Sequence, residues 1–206
     1  MSEASGAGGR LTAKGRATRE RIVAAAAQLM FERGVAGTST EDVRAAAEVS
    51  TSQIYHYFRD KPALVRAVIT HQTEQIMTAQ QAFFARLDSM DGLRAWRDAL
   101  VELQRSRQCA GGCPIGSLGS ELADSDAAAR AAVAAGFARW AEAIAAGLRA
   151  MRDRGELRAG ADPDRLGLAV LTALQGGLLL TQIRRDTVAL ETGLDAMLEL
   201  VESYLV

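Results

Sequence analysis

Proline occurs at only three positions, Pro62, Pro114 and Pro163, and this constrains the chain more than any other feature. Proline lacks the N–H that an interior helical position needs, so long stretches without it suit continuous helix. Alanine supplies much of the apolar 49%; it favours helix, and its small side chain lets helices approach closely. No alternating strand pattern bounded by Asn-Gly or Asp-Gly turns is found. The expectation is an all-α chain of about nine helices. Its 206 residues are enough for one large domain or two small ones that share a core.

Apolar spacing and capping residues place the helices. Residues up to about Lys14 have little to bury and read as a disordered arm over 1–15. A first helix then starts near Arg16, carries Ile22, Ala26, Leu29 and Met30 on one stripe, and stops at Gly34. Thr38 with Glu41, or Ser39 with Asp42, fits a capping box that opens a short second helix ending near Ala47. Glu48-Val49 is a turn. Ser50 is the next N-cap, and a third helix runs to about Tyr57. A fourth begins around Lys61-Pro62, with proline in its first turn, and reaches about Asp88. Asp91 caps a fifth, 93–107. A loop rich in Gly and Cys separates it from a short helix, 115–122. Ser125 or Asp126 starts a long Ala-rich helix to Arg154, Asp162-Pro163 opens another to Arg184, and Asp186 starts the last. The domain expectation is 16–60 for the three-helix part and 61–206 for the remainder.

Residues 38–64 read TSTEDVRAAAEVSTSQIYHYFRDKPAL. Two short helices joined by a tight turn on a three-helix core have the helix-turn-helix layout, whose second helix enters the DNA major groove. Val43, Ala46 and Ala47 are small enough for close crossing, and Val49 plugs the turn. Thr51, Ser52 and Gln53 form an exposed first turn of short polar side chains, and Gln53 suits adenine N6/N7. Ile54 and Phe58 point to the core. Tyr55, His56 and Tyr57 carry donors suited to phosphates, although Tyr55 reads equally as a half-buried core aromatic. Lys61 sits at a helix N-terminus that favours phosphate. Charge is distributed accordingly: residues 1–66 hold ten Lys/Arg against seven Asp/Glu (+3), residues 67–206 fourteen against eighteen (−4), for the net −1. Arg10, Lys14, Arg16 and Arg19 read as an arm for the minor groove, with a solubilising tail an equal reading for Arg10 and Lys14.

Thr38, Val43, Ala47, Val49-Ser50, Tyr55, Tyr57-Phe58, Lys61 and Leu64, behind an amphipathic helix ending at Gly34, give this stretch a pattern that resembles the tetracycline-repressor (TetR) family of bacterial transcription regulators. Residues 112–118, with Glu121-Leu122, resemble its LmrA/YxaF-like branch, tied to drug and small-molecule response. The resemblance implies a ligand-responsive repressor, with a C-terminal portion that binds a small apolar or aromatic effector. It also implies a homodimer, here through the last two helices with Gly176-Gly177 and the stripe Leu194, Met197, Leu198 and Val201, on a palindromic double-stranded DNA operator. The candidate DNA contacts are Thr38, Thr40, Arg44, Ser50, Thr51, Ser52, Gln53, Tyr55, His56, Tyr57 and Lys61. The sequence departs from the pattern at Glu48, where the family usually has glycine. A turn position of positive φ tolerates glycine and strains glutamate, so either the turn is adjusted or about 1 kcal/mol of strain is carried.

Candidate effector contacts, with facing guessed from periodicity, are Phe83, Trp96, Leu100, Cys113, Leu118, Phe137, Trp140 and Gln175. For Trp96, Phe137 and Trp140 the competing reading, core filling, is the one aromatics at helical spacing favour. Cys109 and Cys113 are too few for a disulfide framework; with Arg105 and Arg107 nearby a redox switch is conceivable, and the competing reading is a structured turn beside a cavity. His71 and Glu74 share a face that reads as solvated. No metal cluster surrounds His56, no cofactor is expected, and no GxGxxG, GxSxG or GxxxxGK[ST] motif supports an enzyme. Gly6-Ala7-Gly8-Gly9 has no strand before it. No uninterrupted apolar run reaches the roughly 18 residues of a membrane span, and residues 1–10 lack the pattern of a signal peptide. A cytoplasmic protein without a membrane partner is the expectation.

Overall fold

The computed structural model describes residues 11–206. The described residues form nine α-helices: α1 Ala13–Arg33, α2 Thr40–Ala47, α3 Thr51–Tyr57, α4 Lys61–Phe84, α5 Met90–Ser106, α6 Pro114–Leu122, α7 Ala127–Asp153, α8 Pro163–Arg184 and α9 Val188–Glu202. They divide into two compact units, the first ending at Val68 and the second running from Ile69 to Val206. The all-α expectation holds, with one addition: Leu157 and Leu205 form an isolated antiparallel bridge.

In the first unit, α1 starts three residues before the expected Arg16, because the Thr12 hydroxyl accepts from the Gly15 N–H at 3.1 Å and supplies an N-cap. Lys14, Arg16 and Arg19 therefore belong to a helix rather than an arm. Arg16 turns back to the Leu11 carbonyl, and the Arg19 guanidinium lies 5.2 Å over the Phe58 ring. Arg10 lies outside the described residues. Ile22, Val23, Ala26 and Met30 of α1 are buried, as are Val43, Ala47, Val49, Ile54, Phe58 and Leu64. Arg21 Nε donates to the Ala47 carbonyl at 2.9 Å, satisfying one of the carbonyls left open at the end of α2.

The second unit opens within α4, which is four residues shorter than expected; 85–88 form a turn in which the Arg86 N–H reaches the Phe83 carbonyl at 2.8 Å. Helix starts follow local cap chemistry. Ser89, not Asp91, caps α5 by accepting from the Gly92 N–H, and Asp91 sits exposed in the first turn paired with Arg94. Asp126 rather than Ser125 caps α7, and Asp162 caps α8. The Asp186 carboxylate accepts from the Val188 N–H at the start of α9.

Helices α7, α8 and α9 pack closely where glycine removes a side chain. A Cβ on Gly167 would lie 2.9 Å from that of Ala145, and one on Gly177 would lie 2.8 Å from the Leu190 backbone. Arg97 of α5 grips Asp195 of α9 through two hydrogen bonds of 2.8 Å. Glu74 is exposed, as the reading of a solvated face expects, and pairs there with Arg139 of α7 at 2.6 Å. Helices α7 and α8 are each long and apolar enough for a membrane span by composition, a possibility that counting only uninterrupted runs missed. They are core helices, with Trp140, Ile144, Leu148, Val170, Leu171 and Leu174 buried within the unit.

Candidate nucleic-acid interface and effector cavity

The α2–turn–α3 segment is fixed by two successive capping boxes. Ser39 caps α2: its hydroxyl accepts from the Asp42 N–H at 3.1 Å while Asp42 Oδ2 accepts from the Ser39 N–H at 2.8 Å. Of the two boxes the sequence offered, the structure takes this one. Hydrogen bonds from the Ser39 hydroxyl and then its backbone N–H hold the Asp42 carboxyl below the ordinary carboxylate range. Ser50 repeats the arrangement in α3, accepting from the Gln53 N–H at 3.2 Å, while Gln53 Oε1 accepts from the Ser50 N–H at 2.8 Å. Between them Glu48 adopts the left-handed conformation, φ 52° and ψ 50°. The turn geometry is thus the one glycine would favour, and glutamate occupies it under strain.

This local framework turns the first residues of α3 outward. Thr51, Ser52, Gln53, Tyr55 and His56 are exposed, Tyr55 at 58% of its surface, which removes the core reading of that residue. Thr40, Arg44, Thr51 and Tyr55 line one shallow groove between α2 and α3. Arg44 is held by Glu41 at 2.6 Å.

Of the four other candidates, Thr38 and Ser50 spend their hydroxyls on the fold, and Tyr57 and Lys61 are partly engaged by it. Thr38 is buried at 1% exposure and donates to the Gly34 carbonyl at 2.8 Å, closing the end of α1; it offers nothing to a ligand. Ser50 spends its hydroxyl on the cap. Tyr57 is half-buried against the edge of the His56 ring, centroids 4.8 Å apart. Lys61 Nζ donates to the Val35 carbonyl at 2.6 Å. The positive end of α4 is already answered by Asp60, whose Oδ1 accepts from the Ala63 N–H at 2.8 Å. That N–H, followed by Arg59, lowers the Asp60 pKa, so an anion sits where the sequence argument placed a phosphate. Gln53 is half committed: Oε1 serves the cap, and a two-pronged contact with adenine requires its release.

The second unit holds a cavity of about 590 Å³ among α6, α7 and α8, within the range of small-molecule sites. Helix α8 supplies two adjoining stripes. Leu171, Gln175, Leu178 and Gln182 form the inner wall; Leu168, Thr172, Gly176 and Leu179, exposed to solvent, form the rim. Cys113, Gly116, Ser117 and Ser120 face them from the start of α6, and Phe137 from α7.

Of the residues read from the sequence, Cys113, Phe137 and Gln175 are on this wall and Phe83, Trp96, Leu100, Leu118 and Trp140 are not. Trp96 is buried elsewhere, its Nε1 donating to Gln80 Oε1 at 2.7 Å, and Leu100, Leu118 and Trp140 are core. Phe83 is half-buried near the end of α4. Periodicity marks the inward side of a helix but not which void that side meets. Leu171, Leu178 and Gln182 were missed, although their spacing with Gln175 was available in the sequence. Cys109 and Cys113 are both free and buried. Burial pushes the Cys113 thiol pKa up, offset in part by the Gly116 and Ile115 N–H groups, which disfavours the reactive thiolate. Among the described residues no group of three or more His, Cys, Asp or Glu could hold a metal ion.

Comparison with known proteins gives matches along most of the chain. A family model described as bacterial regulatory proteins, tetR family, matches residues 22–68, and a model described as tetracyclin repressor-like, C-terminal domain, matches residues 89–197. An HTH-type transcriptional regulator of Mycobacterium tuberculosis (strain ATCC 25618 / H37Rv) is 30% identical over 186 residues, 84% of this chain and 88% of the relative. The HTH-type transcriptional repressor DhaR of Mycobacterium sp. (strain GP1) is 24% identical, covering 88% of this chain and 90% of its own. The crystal structure of a TetR transcriptional regulator from Chloroflexus aurantiacus superposes with a TM-score of 0.77 at 28% identity, over 94% of this chain and 98% of that one.

Proposed function

Because this chain belongs to the TetR family of bacterial helix-turn-helix transcriptional regulators, we propose that it is a cytoplasmic repressor that binds a palindromic operator as a homodimer and is released by a small apolar or aromatic effector. The observation that carries the reading is the outward first turn of α3, where Thr51 and Ser52 are exposed on a helix whose start is locked by the Ser50–Gln53 box. Short polar side chains on a rigid helix end suit base edges in the major groove. Thr40, Arg44, Tyr55 and His56 take the flanking phosphates, contacts that set position rather than sequence. The N-terminal unit is the DNA-binding domain and the remainder the effector-binding and dimerisation domain. The motif of residues 112–118 supports placement in the LmrA/YxaF-like branch.

One recognition helix reads only a few base pairs, so a dyad is needed to read a palindrome. Leu194 and Val201, expected in the dimer seam, are buried in the chain's own core, and Gly177 packs on Leu190 of the same chain. The large apolar side chains that α8 and α9 leave exposed are Leu168, near the start of α8, and Leu179, Leu180, Ile183, Val188 and Leu200. We take these exposed side chains, Ile183 above all, as the association surface of a dimer through the last two helices. An effector shifts the dimer away from DNA only if it prefers the released arrangement; equal affinity for both shifts nothing.

The test is a gel-mobility shift of the DNA flanking the protein's own gene. Retardation is expected at a palindromic segment, with loss of the shift in Thr51→Ala/Ser52→Ala. Binding that is indifferent to sequence and to those substitutions would remove operator recognition from the reading.

A further inference from the structure

Among the described residues, the wall of the α6–α7–α8 cavity carries no Lys, Arg, His, Asp or Glu, and its one titratable group is the Cys113 thiol. A charged molecule entering it would exchange water for a surface with no counter-charge, which is strongly unfavourable. The polar groups on the wall are hydroxyls and two amides, Gln175 and Gln182, which lie two turns apart on the inner stripe of α8.

Both amides turn their oxygens toward glycines. A Cβ on Gly116 would lie 3.3 Å from Gln175 Oε1, and one on Gly112 would lie 2.5 Å from Gln182 Oε1. The opposite end of Gln175 is unanswered: Nε2 is buried and has no hydrogen-bond partner. It lies near enough to Cys113 to favour the thiolate slightly, yet not in the geometry of a hydrogen bond, and sulfur is a weak acceptor. A buried amide donor without a partner is costly, and the cost is repaired by an acceptor atom that arrives with a ligand. The rest of the inner wall, Leu171, Leu178 and Phe137, is apolar.

We infer that this cavity selects an uncharged, mainly apolar molecule bearing a carbonyl-type acceptor oxygen, oriented by a hydrogen bond from Gln175 Nε2 once that side chain turns its buried, unpartnered amide end into the cavity. The selection refuses carboxylates, phosphates and ammonium ions of the same shape. It deepens the effector role proposed above and rests on it.

Four naphthalene derivatives of matched size test it by calorimetry on the full chain at neutral pH: 2-acetonaphthone, 2-ethylnaphthalene, 2-naphthoate and 2-(aminomethyl)naphthalene. The ketone should bind roughly three- to tenfold more tightly than the hydrocarbon, the gain of one neutral hydrogen bond. It should bind at least about tenfold more tightly than either ion. Gln175→Leu should erase the ketone's advantage over the hydrocarbon while leaving hydrocarbon binding in place. In the unsubstituted protein, one Gln175 side-chain NH2 proton should move downfield with the ketone, beyond the ring-current shift that the hydrocarbon alone produces, a readout that stands if the variant fails to fold. An ion binding as tightly as the ketone, no binding by any of the four, or an unchanged preference in Gln175→Leu overturns the inference. A protein that shows this selectivity but never shifts operator DNA would overturn the regulator reading and leave the cavity chemistry standing.

Discussion

At Glu48 the backbone takes a conformation that costs an L-residue roughly 1–2 kcal/mol and glycine almost nothing. Glu48→Gly should therefore raise stability by about 1 kcal/mol, seen as a higher melting temperature. An unchanged or lower value would mean that the strain is absent or that added freedom of the unfolded chain cancels it. Gln53 separates two roles in one side chain. Gln53→Glu keeps the acceptor for the Ser50 N–H, so melting should be unaltered, while a carboxylate beside DNA weakens binding by about 1–3 kcal/mol. Gln53→Ala should lower both, and equal melting of the alanine and glutamate variants would deny the amide its capping role. These residues show what sequence can yield. Ser50 as a cap was legible because its partner lies within three residues, and Glu48 as an anomaly because the family resemblance puts glycine at that position. The contact of Lys61 with the Val35 carbonyl was not legible because it spans 26 residues, and that of Thr38 with Gly34 because residues 38–41 also read as a capping box.

Helix α2 depends on its start, since eight residues hold few internal hydrogen bonds. Ser39→Ala should cost about 1 kcal/mol of stability. The companion Asp42 gives a dependence on pH with a definite sign. Its folded pKa is depressed, so its contribution is complete above the unfolded value of about 3.9 and is lost as pH falls through the folded one. The melting difference between the natural protein and Asp42→Asn should stay constant from neutral pH down to about 5 and narrow below about 4; a difference that widened in acid would reverse the argument. Cap chemistry also explains why helix number and order were legible while several boundaries were not. Asp91 and Ser89 both qualify as the start of α5, and only the hydrogen bond from Gly92 decides between them. For α8 the sequence showed an apolar helix, and its two stripes become distinct only where α6 and α7 close on one of them.

For the whole molecule, the proposed dimer makes the sharpest prediction. Ile183 is 69% exposed on α8, so Ile183→Glu should leave the fold intact, convert a dimer to a monomer by light scattering at micromolar concentration, and weaken operator binding at least about a hundredfold through lost bivalency. A natural chain that is already monomeric under those conditions would remove the dimer from the reading. The placement of the aromatic residues has a separate consequence. The chain's two tryptophans, Trp96 and Trp140, both lie in the second unit, whereas the first contains Tyr55 and Tyr57 but no indole. Intrinsic tryptophan emission is therefore a spectrum of one half of the protein. In a denaturant titration it follows the unit that carries the cavity and is blind to the helix-turn-helix, which backbone dichroism sees in full. The two indoles also differ, since Trp96 is hydrogen-bonded to Gln80 while buried Trp140 has an unpartnered Nε1, so the emission should contain a bluer component that Trp140→Phe removes. Where the dichroism and emission midpoints part, the gap between them measures how far the DNA-reading half loosens before the other, without a label on either.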